Sequence, residues 1–542
     1  MNRIIFFFEN KYTKISCLII ALLYSISFIF WGRGAMDPYY WINRYADYSE
    51  YFIVSGSLFV GYIWGNIFGF TLLSLRFLGW IFSITAILLP YFILQPRKNY
   101  LKNSYYLLFG IFLLGYGSYN EFSPVSSTIL AISILAVLLY KYFEERKITY
   151  LIALGVMSSI AIWFRFPNVL VLPVISCSLL VYYFIEKNKD KVNYFKDFIR
   201  PIGIYLLIST IVYIALVVLM MNDVAIVSLG MDSVSKANTG DHSVFYMLRM
   251  LYSDFNGILL YCGVLFLFAY LVKVQQLNIN KFVKYIIYFV ILALFAYFLK
   301  SNIGTHKWFN WPLHVFISSI AISATIVIVY KSLKKKNAKE ALFYFSVLLL
   351  GVVAPMGSDT RWLKLFPILC CFLPVLLINM HIDWRKNKLV IALIFIFSSY
   401  VLVCYARNNI SKGTRGNVLQ MTETVDCKVL KNIYLSKDDA EYVETILHDY
   451  TLLGEIDNTI FYGNAAHFPY SVTESKPVYE YPFRMYKNDQ EQLDIVMDLL
   501  QTKSCVLFDF EKNDSEYFFN KLKNLNYIEV SRNDEYIVYK KL

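Results

Sequence analysis

The feature that most constrains this chain is a succession of apolar stretches that begins near residue 15 and recurs to about residue 405. A helix of about 20 apolar residues spans the roughly 30 Å hydrocarbon core of a bilayer. Hydrophobic residues make up 58% of the 542 residues and charged residues only 17%, a composition that excludes an ordinary soluble domain. We therefore predict an all-α polytopic membrane protein, embedded through its whole N-terminal part.

Thirteen candidate transmembrane helices follow when each span requires about 20 apolar residues and shorter runs are completed from their flanks. The first of them follows two lysines and lacks a small-residue cleavage site, so we expect it to remain as a signal anchor. The spans cover residues 15–32, 71–94, 104–118, 124–140, 149–164, 168–185, 201–221, 257–272, 285–299, 313–330, 342–355, 365–381 and 389–405.

Lysine and arginine are unevenly distributed between the loops. The N-terminal segment and the loops on its side together hold 25 of these residues, whereas the opposite loops, counted together with Arg76 at the start of the second span, hold 10. Because cytoplasmic loops carry the excess of positive charge, we place the N-terminus in the cytoplasm, and an odd number of spans then places the C-terminal tail outside. The net charge of +12 thus reflects topology and predicts no nucleic-acid partner. The richness in Ile, Lys, Asn, Tyr and Phe indicates an AT-rich coding genome and thus favours a bacterium. The expected location is therefore a bacterial inner (plasma) membrane.

The segment 51–70 is apolar as well, but a full span there would move every later lysine-rich loop to the outer side. We therefore interpret it as a short helix in the outer interface. Together with the acidic, tyrosine-rich stretch from Asp37 to Glu50, it gives the first outer loop two interfacial helices. Small residues recur every four positions in this segment and predict close helix packing. They are Ser57, Gly61, Gly65 and Gly69.

The tail changes character and predicts a small α/β domain. We divide the chain into a transmembrane domain, 1–405, and an extracytoplasmic domain, 406–542. Ser436 is the predicted N-cap of a helix with acids in its first turn. Strands are predicted at DNTIFYGN and CVLFDF, helices at EQLDIVMDLLQ and EYFFNKLKNLN, and a closing hairpin around Asn533 and Asp534.

Cys427 and Cys505 are the only cysteines of this tail. An oxidising compartment permits a disulfide between them, which is our hypothesis, while burial of Cys505 as an apolar residue stays open. The sequence holds no CxxC pair or Cys/His metal spacing, and the outer acids lack the spacing of divalent-metal ligands. We therefore expect no cofactor.

The dipeptide Asp37-Pro38 follows the first span. An aspartate N-cap and a proline at the first helical position start a helix, and this role alone explains both residues. A carboxylate at the outer mouth of a span is also a candidate functional group, because charge near hydrocarbon is costly. From the local sequence alone, capping is the favoured interpretation.

Four elements occur in order over the first 190 residues. They are Asp37 after the first span, IFGFTLLSLRFLGW (67–80) with Arg76, NEFSPVSSTILAISILAVLLY (120–140) with Glu121, and RKITYLIALGVMSSIAIWFRFPNVLVLP (146–173) with Arg165. In this order and spacing they resemble the GT-C class of membrane glycosyltransferases, particularly its protein O-mannosyltransferase and aminoarabinose-transferase branch. The later chain is similar to that branch in architecture.

The resemblance implies a donor sugar linked to polyprenyl phosphate and a glycan, lipid or protein acceptor on the outer face of the membrane. Phosphate is a good leaving group, so a single base suffices, and the resemblance gives this role to Asp37. Glycoside hydrolysis differs, because two carboxylates flank the bond there. The chain departs from the family pattern at Pro38, where a second acid is usual, and at Gly56-Ser57, where a proline pair is usual.

Cations at the outer ends of the spans would hold the lipid phosphate, since arginine binds phosphate through two parallel N–H bonds. Each candidate also has a simpler interpretation. Arg165 and Lys307 can anchor at the headgroups, Arg361 can pair with a neighbouring aspartate, and Glu121 can be a solvated loop acid that plays no part in orienting the acceptor. The substrate-binding candidates are Glu121, Arg165, His306, Lys307 and Arg361.

Two other functions remain as alternatives. A transporter or flippase for a lipid-linked glycan usually shows paired repeats and charges in the middle of spans. In this sequence the charges lie at span ends and no repeat is evident. An O-antigen polymerase or ligase usually relies on a large outer loop between late spans, whereas this chain has an acidic first loop and a soluble tail.

The first prediction concerns topology. Because the positive charge lies on the side of the N-terminus, a reporter fused after residue 542 should be active only outside the cytoplasm. Paired fusions of an alkaline phosphatase and a fluorescent protein at this position measure the two sides independently. Activity of the cytoplasmic reporter alone would contradict both the count of spans and the interfacial assignment of 51–70.

Overall fold

The computed structural model describes most of the chain, and all that follows refers to the described residues. These are 10–34, 37–46, 56–114, 121–187, 199–220, 281–300, 311–354, 365–380, 406–409, 413–454, 458–463, 466–476, 489–503, 505–512 and 516–542, with single positions 396, 399, 400, 403 and 404.

The apolar stretches of the N-terminal part form helices, because a backbone in lipid must satisfy its own hydrogen bonds. Their bounds are α1 (Lys11–Ser27), α2 (Asp37–Ala46), α3 (Gly56–Phe68), α4 (Leu72–Ile93), α5 (Ser104–Leu114), α6 (Pro124–Glu145), α7 (Ile148–Phe164), α8 (Val171–Lys187), α9 (Arg200–Met220), α10 (Lys281–Lys300), α11 (Trp311–Lys334), α12 (Ala338–Val353) and α13 (Leu365–Asn379).

Six helices within the described residues are long and apolar enough to cross a membrane, which makes the chain an integral membrane protein. Shorter apolar helices, among them α5, α7 and α13, lie on other predicted spans. The candidate span 257–272 and most of 389–405 lie outside the described residues, so the count of thirteen stays a prediction. The six are Lys11–Phe30, Leu72–Ile93, Pro124–Glu145, Phe166–Glu186, Arg200–Val218 and Ile317–Lys334.

Two short helices, α2 and α3, lie between the long apolar helices α1 and α4, where the sequence predicts them. α3 has 13 residues, fewer than a helix needs to cross a bilayer. Gly69 ends it with a positive φ of 91°, and its N–H donates to the carbonyl of Gly65 at 2.7 Å. The packing role predicted for Gly69 is therefore wrong, since a virtual Cβ there would meet only Thr71, at 3.7 Å.

The chain forms two compact units. The first comprises Met1–Ile29, Tyr51–Gly61 and Arg76–Asn408. The second comprises Phe30–Glu50, Tyr62–Leu75 and Asn409–Leu542, so it joins the tail with parts of the segment between α1 and α4.

The tail contains the predicted alternation of helices and strands. Its four-stranded sheet has the order β1-β2-β4-β3, in which β1 and β2 are parallel and the other neighbours are antiparallel. The elements are α14 (Lys437–Leu453), β1 (Thr459–Tyr462), α15 (His467–Thr473), α16 (Asp489–Thr502), β2 (Val506–Asp509), α17 (Glu516–Asn524), β3 (Tyr527–Arg532) and β4 (Ile537–Lys541).

The core of the tail lies between this sheet and two amphipathic helices. Leu493, Met497 and Leu500 recur on one face of α16, and Phe518 and Leu522 on one face of α17, and all are buried against the strands. At α14 the predicted N-cap is confirmed, since the Asp439 N–H donates to the hydroxyl of Ser436 at 3.2 Å. The predicted closing hairpin is confirmed as β3 and β4.

The tail cysteines do not form the disulfide of our hypothesis, because no bond joins their sulfurs, and both residues are buried. Cys505 lies in the apolar core beside β2, as its place in CVLFDF also allowed. Cys427 donates from its thiol to the carbonyl of Val472 at 3.5 Å. Both thiols thus act as small apolar groups, and burial raises the pKa of Cys427 above its ordinary value.

The second prediction follows from these free thiols. Alkylation of the unfolded, unreduced protein should label both Cys427 and Cys505, because neither sulfur is bonded to the other. Peptide mass mapping measures the label at each site. A sample reduced before alkylation is the matched control and should give the same occupancy. Label that appears only after reduction would contradict the free state.

Candidate active site

The helix α2 begins at Asp37, at the place where the Asp-Pro dipeptide predicts a helix start. The side chain of Asp37 lies outside what the structure describes. What the structure does give is the position of the helix within the second unit, set by the residues before and after this carboxylate.

The segment that leads into α2 is bonded to the tail. Tyr434 donates its N–H to the carbonyl of Phe30, and the N–H of Gly32 donates to the carbonyl of Tyr434, both at 2.8 Å. Gly32 has a φ of 75°, and a Cβ there would lie 2.6 Å from a side-chain carbon of Thr414. Glycine is therefore required at position 32 for both conformation and space. The hydroxyl of Thr414 accepts the N–H of Gly34 at 3.0 Å.

Arg33 forms a buried ion pair with Asp439 of α14. Its Nε donates to Asp439 Oδ1 at 2.9 Å, and the carboxylate of Asp439 is fully buried. The backbone N–H of Arg415 donates to the second oxygen, Oδ2, at 2.8 Å. The guanidinium also lies 4.9 Å from the ring centres of both Tyr442 and Phe468. Burial raises the pKa of Asp439, while Arg33 and Arg415 act in the opposite direction.

The helix α2 packs on the short helix α15. The ring of Tyr39 meets that of Phe468 edge to face, with centres 4.7 Å apart. One turn later, the side-chain oxygen of Asn43 accepts the hydroxyl of Ser471 at 2.8 Å. Residues four apart share one face of a helix, so α2 presents a single face to α15.

The helix α15 was not predicted from the sequence. HFPYSVT has seven residues, a proline and no apolar period long enough to detect. Its first residue, His467, is 4% exposed and lies beside the ring of Tyr40. Burial and the charge of Arg44 lower the pKa of His467, so this imidazole is neutral at physiological pH.

In the first unit, Glu121 pairs with the arginine of the LR segment. Arg76 Nη2 lies 3.2 Å from Glu121 Oε1, and the arginine side chain is 3% exposed. Phe122 packs edge to face on Phe82 of α4, with ring centres 5.1 Å apart. The start of α6 is thereby fixed to the N-terminal half of α4. Glu121 thus has a structural partner that the sequence alone did not indicate.

Arg165 lies at the turn that follows α7. Its extended backbone, with φ −159° and ψ 116°, ends the helix, and its Nη1 donates to the carbonyl of Ala354 at 2.7 Å. Asn168, three residues later, donates from its amide to Thr128 in α6 at 3.0 Å and to the carbonyl of Ala161 at 2.8 Å. These bonds tie the end of α7 to the beginning of α6. Glu121 and Arg165 therefore lie at the same end of one helix pair.

The start of α3 packs on the same end. The hydroxyl of Ser57 donates to the carbonyl of Phe164 at 2.9 Å, next to Arg165 in sequence. At Gly56 a Cβ would lie 2.5 Å from the indole of Trp163. The Gly56-Ser57 pair is therefore a close packing contact, and the packing predicted for Ser57 is confirmed.

The remaining predicted site residues, His306, Lys307 and Arg361, lie outside the described residues. Asp37 belongs to the second unit, whereas Glu121 and Arg165 belong to the first. Among the described side chains, no group of three or more His, Cys, Asp or Glu is arranged to hold a metal ion.

Comparison with known proteins gives likeness in structure only. No family model matches the sequence, and no curated protein matches it. The archaeal oligosaccharyltransferase AglB from Archaeoglobus fulgidus, solved with an inhibitory peptide and a dolichol-phosphate, is similar with a TM-score of 0.45 and 11% identity. That likeness covers 98% of this chain and 74% of the other.

A second similar structure is ArnT from Cupriavidus metallidurans bound to undecaprenyl phosphate, with a TM-score of 0.45 and 9% identity. The likeness covers 97% of this chain and 98% of the other. Both proteins are GT-C glycosyltransferases, the class that the sequence resembles. At these values the likeness assigns no activity to this chain.

The third prediction concerns the packing of Gly56. Gly56→Ala forces a methyl group against the buried indole of Trp163, and such overpacking costs about 1–3 kcal/mol. We expect a lower unfolding temperature for the full chain in detergent. Gly203→Ala is the matched control, since nothing lies within 4 Å of its Cβ position, and it should be neutral or slightly stabilising. Equal effects of the two substitutions would contradict the contact.

Proposed function

We propose that this protein is an integral-membrane glycosyltransferase that transfers a sugar from a polyprenyl-phosphate donor to an acceptor on the outer face of the membrane. One observation supports the proposal above all. Between the first two long apolar helices lie two short ones, and the first of these begins at Asp37. The acidic residue thus stands at the place that the family resemblance assigns to the base.

In the proposed reaction, Asp37 takes the proton of the acceptor hydroxyl as the oxygen attacks the anomeric carbon of the sugar. The bond from that carbon to the phosphate oxygen breaks, and its electron pair leaves with the polyprenyl phosphate. The leaving group needs no proton at neutral pH, so a single positioned base completes the step.

Arg165 is the proposed phosphate ligand of the first unit. A guanidinium carries five N–H donors, and the bond from Nη1 to the carbonyl of Ala354 fixes the orientation of its plane. A fixed fork suits phosphate, because less side-chain freedom is lost when it binds. We propose His306, Lys307 and Arg361 as further cations around the donor, and Glu121 as a residue that orients the acceptor from its ion pair with Arg76.

The acceptor class is a glycan, a lipid or a protein, and the sugar is a hexose or a pentose. The proposed location is a bacterial inner membrane, with the N-terminus in the cytoplasm and the tail outside. The mechanism uses no cofactor.

The fourth prediction tests Asp37. Asparagine caps a helix about as well as aspartate but does not accept a proton, so Asp37→Asn separates the two roles of this residue. We expect transfer to fall by about two to four orders of magnitude, the usual contribution of a positioned base, with protein amount and donor binding unchanged. Sugar transfer from a polyprenyl-phosphate donor in membranes is the measurement.

Arg165→Ala is the contrast to this variant. A phosphate contact exists before the transition state, so its loss should raise KM for the donor as well as lower kcat. An Asp37→Asn protein with full activity would refute the role of Asp37 as the base. A purified protein that moves lipid-linked sugars across vesicles without forming a glycosidic bond would refute the transferase.

A further inference from the structure

Residues of the tail contact the first outer loop both before and after Asp37. Four residues before it, Arg33 is bonded to Asp439. After it, Tyr39 and Asn43 contact α15. All of these groups belong to the second unit, so the contacts lie within one compact body.

The contacts before Asp37 restrict the position of the chain that enters α2. Both oxygens of Asp439 are engaged, one by the side chain of Arg33 and the other by the backbone of Arg415. A fully buried carboxylate fixed at two points has little freedom, unlike an exposed salt bridge whose side chains move with solvent. The carbonyl of Arg33 in turn accepts the hydroxyl of Tyr39, which joins the segment before α2 to its first turn.

The attachment after Asp37 holds one face of α2. Tyr39, Tyr40 and Asn43 contact α15, and positions 39 and 43, four residues apart, share one face of the helix. α2 is ten residues long. Helices shorter than about 12–15 residues are marginal in water, so the place and order of α2 depend on what it packs against.

We infer that the tail sets the position of the proposed base, and that Asp439 and Ser471 are positioning residues for sugar transfer. This inference rests on the proposed role of Asp37. Asp439 acts through Arg33 on the entry to α2, and Ser471 acts through Asn43 on its second turn. The tail is therefore part of the transfer machinery and contributes neither the base nor a phosphate ligand.

The test uses the full-length protein in detergent and in membranes. Asp439→Asn removes the charge that holds Arg33, and Ser471→Ala removes the bond to Asn43 with little change of volume. The second variant keeps the test decisive if the first reduces folding. Glu474→Gln is the matched control in the same tail, because its ion pair with Lys428 is exposed.

The first measurement is hydrogen exchange of the α2 peptides. In both variants the α2 peptides should exchange faster, while the exchange rates of α6 and α7 in the first unit stay unchanged. In the control variant the exchange rate of α2 should stay unchanged as well. Unchanged exchange in α2 in both variants would overturn the inference, and it needs no assumption about the reaction.

The second measurement is transfer kinetics. A misplacement of about 1 Å costs up to roughly 100-fold, so we expect kcat to fall about 10- to 100-fold with KM for the donor nearly unchanged. In an Asp37→Asn background the same substitutions should cost little more, because both act through one residue. Three results would overturn the positioning role: a 10- to 100-fold further fall of kcat in the Asp37→Asn background, an unchanged kcat in the wild-type background, or a rise of KM for the donor that parallels the fall of kcat.

The two proposals fail in different ways. Asp37→Asn alone with full activity refutes the base and leaves the exchange measurement to decide whether the tail holds α2. Normal exchange in α2 with an inactive Asp37→Asn refutes the positioning and leaves the base in place.

Discussion

A buried carboxylate organises the second unit. Asp439 joins residues that lie far apart in the chain, Arg33 at the end of the first apolar segment and Arg415 at the start of the tail. Removing one partner of such a buried pair costs about 3–5 kcal/mol, because the other charge is left without compensation. The rings of Tyr442 and Phe468, stacked on each other with centres 5.7 Å apart, both lie against the guanidinium of Arg33. These contacts fix the segment before α2 within this unit.

The unit that contains this pair also contains the four-stranded sheet of the tail. A ten-residue helix that carries a proposed catalytic group needs a rigid support. The tail supplies it by extending its packing through α15, whose aromatic and hydroxyl side chains meet α2. In the first unit the support differs in kind. Buried hydroxyls join helices there, as Ser178 does with Ser346 at 2.8 Å and Ser159 with the carbonyl of Ser209, the usual means of holding apolar helices together.

Local patterns predicted the elements, because period and capping are properties of neighbouring residues. The cap at Ser436 and the hairpin that follows β3 are confirmed for this reason. The pairings of Arg33 with Asp439 and of Arg76 with Glu121 were not predictable, since they join residues that are 406 and 45 positions apart. One signal could have indicated that such pairs exist. An arginine beside an apolar segment needs an acidic partner, because burying an unpaired charge is costly. The disulfide hypothesis was wrong because compartment and cysteine number carry no geometry.

Of the two acids proposed for chemistry, Glu121 has a described ion pair, and this pairing suits the orienting role proposed for it. Glu121 is engaged by Arg76, an arginine that is 3% exposed, so a proton taken by Glu121 would leave a buried guanidinium without its counter-charge. A carboxylate committed in this way can orient a hydroxyl, but it is a poor acceptor of the hydroxyl proton. Asp37 opens a helix that is anchored by other residues before and after it. Arg33, Tyr39 and Asn43 supply these anchoring contacts, and they support α2 as the helix that carries the proposed base.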